Sequence, residues 1–200
     1  MNQRPNQPRI PPLPESEWDS ETIELMQTLR RDGQVFNIFA TLARHPKLLK
    51  RWLVFGNHVL SKSSLPARER EIAILRMGWL CGAEYEWGHH VAIGKQAGLS
   101  SDDIRRIAAG SDAPGWDPFE AALIRAVDEL HADSFISDST WRTLAARYNT
   151  EQLLDLIFAA GQYTLVSMAL NSCGVQLEAG YERFPNGTAH TDKTPSSADQ

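Results

Sequence analysis

The 200-residue chain has only two cysteines, Cys81 and Cys173. They are too few for a disulfide framework and too far apart in sequence for a Cys-x-x-Cys redox pair. A disulfide scaffold of the secreted type is excluded, and a reducing cytoplasm is the expected compartment. Basic residues are not in excess either, since 20 Lys and Arg face 25 Asp and Glu for a formal net charge of −5. Scattered along the chain, they form no stripe that would gather phosphates, so nucleic acid is not an expected partner. No short-period repeat and no convincing alternation of apolar and polar residues is present, which leaves no strand to propose. The opening, with Pro5, Pro8, Pro11, Pro12 and Pro14, lacks the apolar core of a signal peptide, and no export is expected. One uncharged run, residues 156–177, is long enough to cross a bilayer. It also holds Gly161, Gln162, Asn171 and Gly174 and has no companion span, so it reads as a buried central helix and no membrane partner is expected.

What is present is helical nearly everywhere. A hydrophobic content of 42% over this length suits one domain with a sizeable core. We place that domain at residues 19–184, between a Pro-rich arm at 1–18 and a Ser/Thr/Asp-rich tail at 185–200, both expected to be mobile. Short helices are expected from Ser20 to Arg31 and from Val35 to Arg44, the second ending before His45-Pro46 because proline disfavours helix in the preceding residue. From Pro46 to about Leu60, the residues Leu48, Trp52, Phe55 and Val59 fall at helical spacing and form the expected apolar stripe. Ser64-Leu65-Pro66 opens a helix with Ile72, Leu75 and Trp79 inward, broken at Cys81-Gly82. Ala83 to Ala97 follows, closed by Gly98, and Ser100 to Asp103 starts a further short helix. Asp117-Pro118 opens another with the stripe Phe119, Leu123, Ala126 and Leu130. A helix near Asp138 and a long one from Thr150 to Ser172 complete an all-α class.

The chemistry-bearing residues cluster in the middle of the chain. Glu86, His90, Ile93 and Ala97 share one helix face, since residues three and four apart lie on the same side. Ionisable groups on an apolar face must meet each other, a third polar group or a ligand. Glu71, whose neighbours Ile74 and Leu75 belong to the buried side of the preceding helix, is the natural third member in a helical hairpin. A carboxylate beside an imidazole orients the ring and raises its pKa, which suits a proton donor or acceptor near neutral pH. A buried structural ion-pair network would use the same residues in the same places.

Arg-x-Arg-Glu at Arg68 to Glu71, then Glu86-x-x-x-His90 and Ala97-Gly98-Leu99-Ser100, resembles the core motif of the carboxymuconolactone decarboxylase / AhpD-like family, over about Leu65 to Ile107. The resemblance implies an AhpD-like helical bundle assembled as a homo-oligomer, a trimer or hexamer. In the AhpD branch, which reduces peroxides, the site resembles a glutamate, a Cys-x-x-Cys pair and a histidine. Glu71 and His90 match, but the two cysteines fall on Ala83 and Glu86, so the peroxiredoxin-type activity is disfavoured. The decarboxylase branch is similar at Glu84, Glu86 and His90. It implies removal of CO2 from a small carboxylated, lactone-like substrate without metal or organic cofactor. His90, polarised by Glu86 or Glu71, would be the acid. Glu84 and Tyr85 would contact substrate, and Arg76 or Arg70 would hold its carboxylate. A peroxidase-type oxidoreductase and a non-catalytic helical scaffold stay as alternatives.

The remaining candidates read as bland. His89 points away from His90 on the helix, which leaves too few ligands on one face for a metal. His45 and His131 read as caps or surface residues, and His58 as core or rim. Tyr85, Trp87 and Tyr163 are expected to pack, with one of them lining a pocket beside His90, and Trp52, Trp79, Trp116 and Trp141 are expected to pack likewise.

Overall fold

The computed structural model describes residues 4–31 and 33–185. Among the described residues there are nine α-helices and no strand: α1 Ser20–Leu29, α2 Asn37–Leu42, α3 Pro46–Asn57, α4 Ala67–Leu80, α5 Glu84–Gln96, α6 Ser101–Ala109, α7 Pro118–Asp133, α8 Asp138–Ala145 and α9 Thr150–Cys173. The all-α class expected from the sequence is what the described residues adopt.

The caps lie where the sequence puts them, because a cap is a local interaction. Asp117 accepts from the backbone N–H of Phe119 and Glu120, with Pro118 in the first turn of α7. Reciprocal capping boxes start α6 at Ser100/Asp103 and α9 at Asn149/Gln152. α4 turns into α5 through Gly82, whose φ of +58° lies in the left-handed region that favours glycine.

α4 is the centre of the molecule. Every residue from Glu71 to Gly78 is buried, and the helix packs against α5, α6, α7 and α9. A helix buried all round has no solvated face for its charges, so each needs a partner inside. Glu69 accepts from Tyr148 Oη at 2.6 Å and pairs with Arg147. Arg76 donates to Asp128 and to two carbonyls of α6. Ile72, Leu75, Met77, Trp87, Leu123 and Leu156 form the main core around it. By length and composition α9 could cross a membrane, but half of its apolar stretch is buried inside the bundle, and it serves as a core helix.

A second, smaller core of Met26, Ala43 and Leu49 joins α1, α2 and α3 into a layer of their own. Here the expected stripe of α3 is corrected. Leu48 and Phe55 are exposed, whereas Leu49 is fully buried, and Trp52, Leu53 and Gly56 are partly covered. The inward face is thus rotated by about one residue, because α3 packs against α1 and α2 on one side and borders a cleft on the other. A π-helical turn at His58–Lys62 carries the chain onward, with Val59 buried. Trp141, expected to pack, is also largely exposed.

The N-terminal arm is anchored rather than free. Arg9 and Ile10 donate their backbone N–H to Cys173 O, Leu13 donates to Ala40 O at 2.9 Å, and the Arg4 guanidinium donates to Cys81 O at 2.8 Å. Composition foretold little apolar burial for this arm, but its backbone groups satisfy carbonyls at the end of α9 that no helix partner reaches. After α9 the chain crosses α5 at Gly88, where a Cβ would stand 2.9 Å from Glu182 O and 2.8 Å from Leu177 Cδ2. Only a glycine permits so close a crossing. The expected tail from about Pro185 lies outside the described residues.

Candidate functional site

Between the α1–α3 layer and the faces of α5 and α9 runs a cleft of about 830 Å³. Its walls are mostly apolar and aromatic, including Phe36, Phe39, Trp52, Ile93 and Val166. Glu86, His90 and Tyr163 stand on its wall, so two of the residues singled out from the sequence border open space. The third, Glu71, is fully buried behind the ring of His90.

The ring is held at both nitrogens. His90 Nδ1 lies 2.6 Å from Glu71 Oε2 and Nε2 lies 2.8 Å from Glu86 Oε1. Arg70 Nε donates to the other oxygen of Glu71 at 3.1 Å, and the ring of Tyr163 meets the imidazole edge-on at 4.9 Å. A neutral imidazole has one N–H and one lone pair, so it can satisfy only one of two flanking carboxylates, whereas the doubly protonated ring donates to both. Burial opposes the charged ring, but Glu71 and then Glu86 outweigh it, and the pKa of His90 is pushed up to about 10. Burial, followed by the same two carboxylates, raises the Tyr163 phenol well above its usual range and keeps it protonated. Both nitrogens of His90 being engaged, the ring has no lone pair free for a metal.

Tyr85 also borders the cleft. Its hydroxyl donates to Glu178 at 2.9 Å and accepts from the N–H of Ile38 at 3.2 Å. Glu84 and Arg76 do not reach the cleft. Glu84 points outward and pairs with Arg183 at 2.5 Å. Arg76 lies about 140° around α4 from Glu71, against Asp128 at 2.5 Å and the carbonyls of Ile107 and Ala108 at 2.9 Å. There it caps the end of α6, a role that helix termini create, and it is absent from the lining of the cleft. The expectation that Arg76 and Glu84 bind substrate is corrected accordingly.

Several polar groups of the site went unmarked in the sequence. Glu178 accepts from His89 at 2.8 Å, from Tyr85, and from the backbone N–H of Asn37 at 2.7 Å, fastening the segment after α9 beside the cleft. Burial acts against its charge, but the hydrogen bonds from His89 and Asn37 prevail and its pKa is lowered. Nothing in the spacing of His89 and Glu178 announces this contact. Gln162, 4% exposed, and Trp52 also stand on the wall; an amide within the uncharged run of residues 156–177 was the available signal. The thiols lie elsewhere: Cys81 Sγ is 3.8 Å from Met77 Sδ and 3.9 Å from His131 Nδ1, and burial raises its pKa. His45 caps α3, accepting from the N–H of Leu48, and His58 faces Asp155 at 3.4 Å.

Residues 46–129 match the sequence model of the carboxymuconolactone decarboxylase family. No curated protein matches the sequence. Solved structures with similar folds include a peroxidase-related protein from a Silicibacter species, at 16% identity and a TM-score of 0.76, covering 90% of this chain and 96% of that one. An Agrobacterium tumefaciens protein of unknown function, described as an AhpD-type antioxidant defence protein, is similar at 21% identity and a TM-score of 0.64, covering 69% and 95%. A cysteine-to-alanine variant of the debrominase Bmp8, in complex with 2,3,4-tribromopyrrole, is similar at 15% identity and a TM-score of 0.67, covering 88% and 95%. At these identities the structures establish the fold alone. Over residues 46–129 the chain is thus similar to the carboxymuconolactone decarboxylase family, and its helical fold is similar to that of AhpD-like proteins.

Proposed function

We propose that the chain is a cofactor-independent acid–base enzyme of the lyase or isomerase type, acting in the cytoplasm on a small unsaturated carbonyl or lactone compound. The observation that carries this reading is the placement of the Glu86–His90 pair on the wall of a deep apolar cleft, with the ring clamped from behind by Glu71. A proton shared between His90 Nε2 and Glu86 Oε1 is available to a ligand carbon in the cleft. Glu71 and Arg70 fix the tautomer and hold the ring in place.

In a decarboxylation of this kind the bond from carbon to the carboxylate breaks, CO2 departs, and the electron pair enters the conjugated carbonyl. The proton from the His90–Glu86 pair then adds to carbon, and water restores it. The cations that border the cleft, Arg31 and Lys50, are exposed residues at its rim. A substrate carboxylate is therefore met there and not at Arg76.

The peroxidase-type reading needs a reactive thiolate. In this chain Ala83 and Glu86 occupy the positions where the redox branch resembles a cysteine pair, and burial holds the Cys81 thiol up. The proposal includes a homo-oligomer, a trimer or hexamer. Leu154, Phe158, Leu165 and Met168 are exposed at four-, seven- and three-residue steps along α9, next to Phe55, which meets Phe158 at 6.0 Å.

The test is proton exchange at carbon. In D2O, a panel of unsaturated lactones and their carboxylated forms is followed by NMR with the wild type and His90→Gln. Deuterium enters the acidic carbon, or CO2 is lost, with the wild type only, while circular dichroism shows both proteins folded. Equal exchange with both proteins would defeat the reading.

A further inference from the structure

Tyr85, Tyr148 and Tyr163 are buried, and two of them engage their hydroxyl inside the protein. Tyr85 Oη meets Glu178 and the N–H of Ile38, and Tyr148 Oη donates to Glu69 at 2.6 Å. Tyr163 is different. Among the described residues its hydroxyl has no hydrogen-bond partner, although the residue is only 6% exposed. A phenylalanine would set the same ring edge-on against His90 without the cost of taking a hydroxyl out of water.

The hydroxyl is not sealed in. Among the described residues the fully enclosed side-chain atoms without a partner are Thr41 Oγ1, Trp52 Nε1 and Ser167 Oγ, and the Tyr163 oxygen is not one of them. It therefore keeps accessible surface, and the open space that Tyr163 borders is the cleft. Its ring centre lies 4.9 Å from that of His90, so the hydroxyl and the Glu86–His90 pair fall within the span of one small conjugated ligand. Gln162, the preceding residue, is turned by about 100° on α9 and reaches Gly56 of α3 instead.

We infer that Tyr163 is a further catalytic residue of the proposed reaction: its hydroxyl donates to the carbonyl oxygen of the ligand and stabilises the negative charge that gathers there. When the bond from carbon to the carboxylate breaks, or a carbon gives up a proton to the pair, the electrons move through the conjugated system onto that oxygen. A positioned donor binds the oxyanion more tightly than the starting carbonyl, and this difference lowers the barrier. The electrons return to carbon as the proton of the His90–Glu86 pair is added, and Tyr163 keeps its own hydrogen throughout. Burial, followed by Glu86 and Glu71, holds the phenol protonated. The cations nearby are already engaged, Arg70 by Glu71 and His90 by a carboxylate at each nitrogen. The inference rests on the proposed acid–base reading and adds to it the group that receives the ligand's oxygen.

The probe is butenolide, the smallest unsaturated five-membered lactone, carrying a heavy-carbon label at its carbonyl. Its γ-proton exchanges by way of negative charge on the carbonyl oxygen. Infrared difference spectra give the carbonyl stretch of the bound probe, and NMR in D2O gives the exchange rate. The stretch should lie at lower frequency with the wild type than with Tyr163→Phe, which has lost the donor. Tyr163→Phe should lower kcat for exchange about a hundredfold or more, with KM within about threefold. Its melting temperature should not fall, because the hydroxyl has no partner among the described residues. His90→Gln should lose exchange and keep the wild-type stretch. Equal stretches in the wild type and Tyr163→Phe, exchange by Tyr163→Phe within about twofold of the wild type, a lowered melting temperature in that variant, or no bound probe at millimolar concentration would overturn the inference. Exchange lost in His90→Gln, with a stretch indifferent to Tyr163, would sink the Tyr163 donor alone. Equal exchange in the wild type and His90→Gln, with a stretch still set by Tyr163, would sink the acid–base reading alone.

Discussion

Replacing Glu71 by glutamine removes one charge from a buried group of four while keeping its shape, and the consequences can be worked through from the distances. Glu71 is fully buried and accepts from His90 Nδ1 at 2.6 Å and Arg70 Nε at 3.1 Å. The wild-type set, two carboxylates with Arg70 and a protonated His90, is neutral. Glu71→Gln leaves it with an unmatched positive charge, and unpairing a buried ion costs about 3 kcal/mol. The ring offsets part of this by releasing its proton more readily, so the pKa of His90, held at about 10 in the parent, falls. The sign of the pH dependence follows. A histidine whose folded pKa is raised contributes stability that is fully present below its unfolded value of about 6.5 and lost as pH rises through the folded value. Wild-type stability should therefore decline between about pH 6.5 and 10. In Glu71→Gln the decline should start at the same pH and end lower, at the lowered folded value. The gap between the two proteins should be widest near pH 7 and shrink above pH 10, where the parent ring has also lost its charge. Urea unfolding at a series of pH values reads the gap, and imidazole carbon and nitrogen shifts read the titration. An ordinary pKa for His90 in the wild type, or a gap independent of pH, would refute the reasoning.

Changing Cys81 and Cys173 together to alanine should leave turnover within about twofold, because neither thiol reaches the cleft; activity assays with the folded double variant check this. Arg76→Gln should lower stability by about 2 kcal/mol, since Asp128 and the α6 carbonyls lose charged donors, and should leave KM unchanged; denaturant unfolding and steady-state kinetics separate the two effects. Phe158→Glu combined with Leu165→Glu should shift the protein toward monomer in light scattering, because both side chains lie on the exposed apolar row of α9, and an unchanged mass would place the interface elsewhere.

The parts of the fold legible in the sequence are those decided by neighbours in the chain. Asp117-Pro118, Ser100/Asp103 and Asn149/Gln152 announce helix starts because the capping bond spans only three residues. The i,i+4 placement of Glu86 and His90 works for the same reason. Glu71 was reachable as well, through the apolar company of Ile74 and Leu75 on a helix that could only be central. Where two solutions fit one pattern, the sequence is ambiguous. Leu48 and Leu49 stand side by side, as do Trp52 and Leu53 a little further on, so α3 offers two apolar rows a residue apart; the cleft and the α1–α2 layer select the row that includes Leu49 and Gly56. Contacts between distant segments left no local trace. Arg76 next to Arg70 and Glu71 looks like site chemistry until α6 and α7 are seen to claim it. Glu178 looks like a loop carboxylate until it is found between His89, Tyr85 and Asn37.

The presence of Glu86 beside His90 has a further electrostatic consequence. Beside a neutral imidazole, Glu71 and Glu86 would leave the buried group one charge short even with Arg70 counted, and low-dielectric surroundings make that imbalance expensive. A second proton on the ring removes it, and the geometry, with one carboxylate oxygen within hydrogen-bond reach of each nitrogen, has room for nothing else. Glu86 turns His90 into a protonated store whose Nε2 proton is shared with a carboxylate on the cleft wall, and it does so only because Arg70 and Glu71 complete the neutral set behind it. A chain with Glu86 but without Arg70 would hold its ring proton more tightly, as the carboxylates would lose their other counter-charge, and would be a poorer acid. The chemistry favoured by this site is thus tied to all four residues, and the single motif Glu86-x-x-x-His90 is not sufficient by itself.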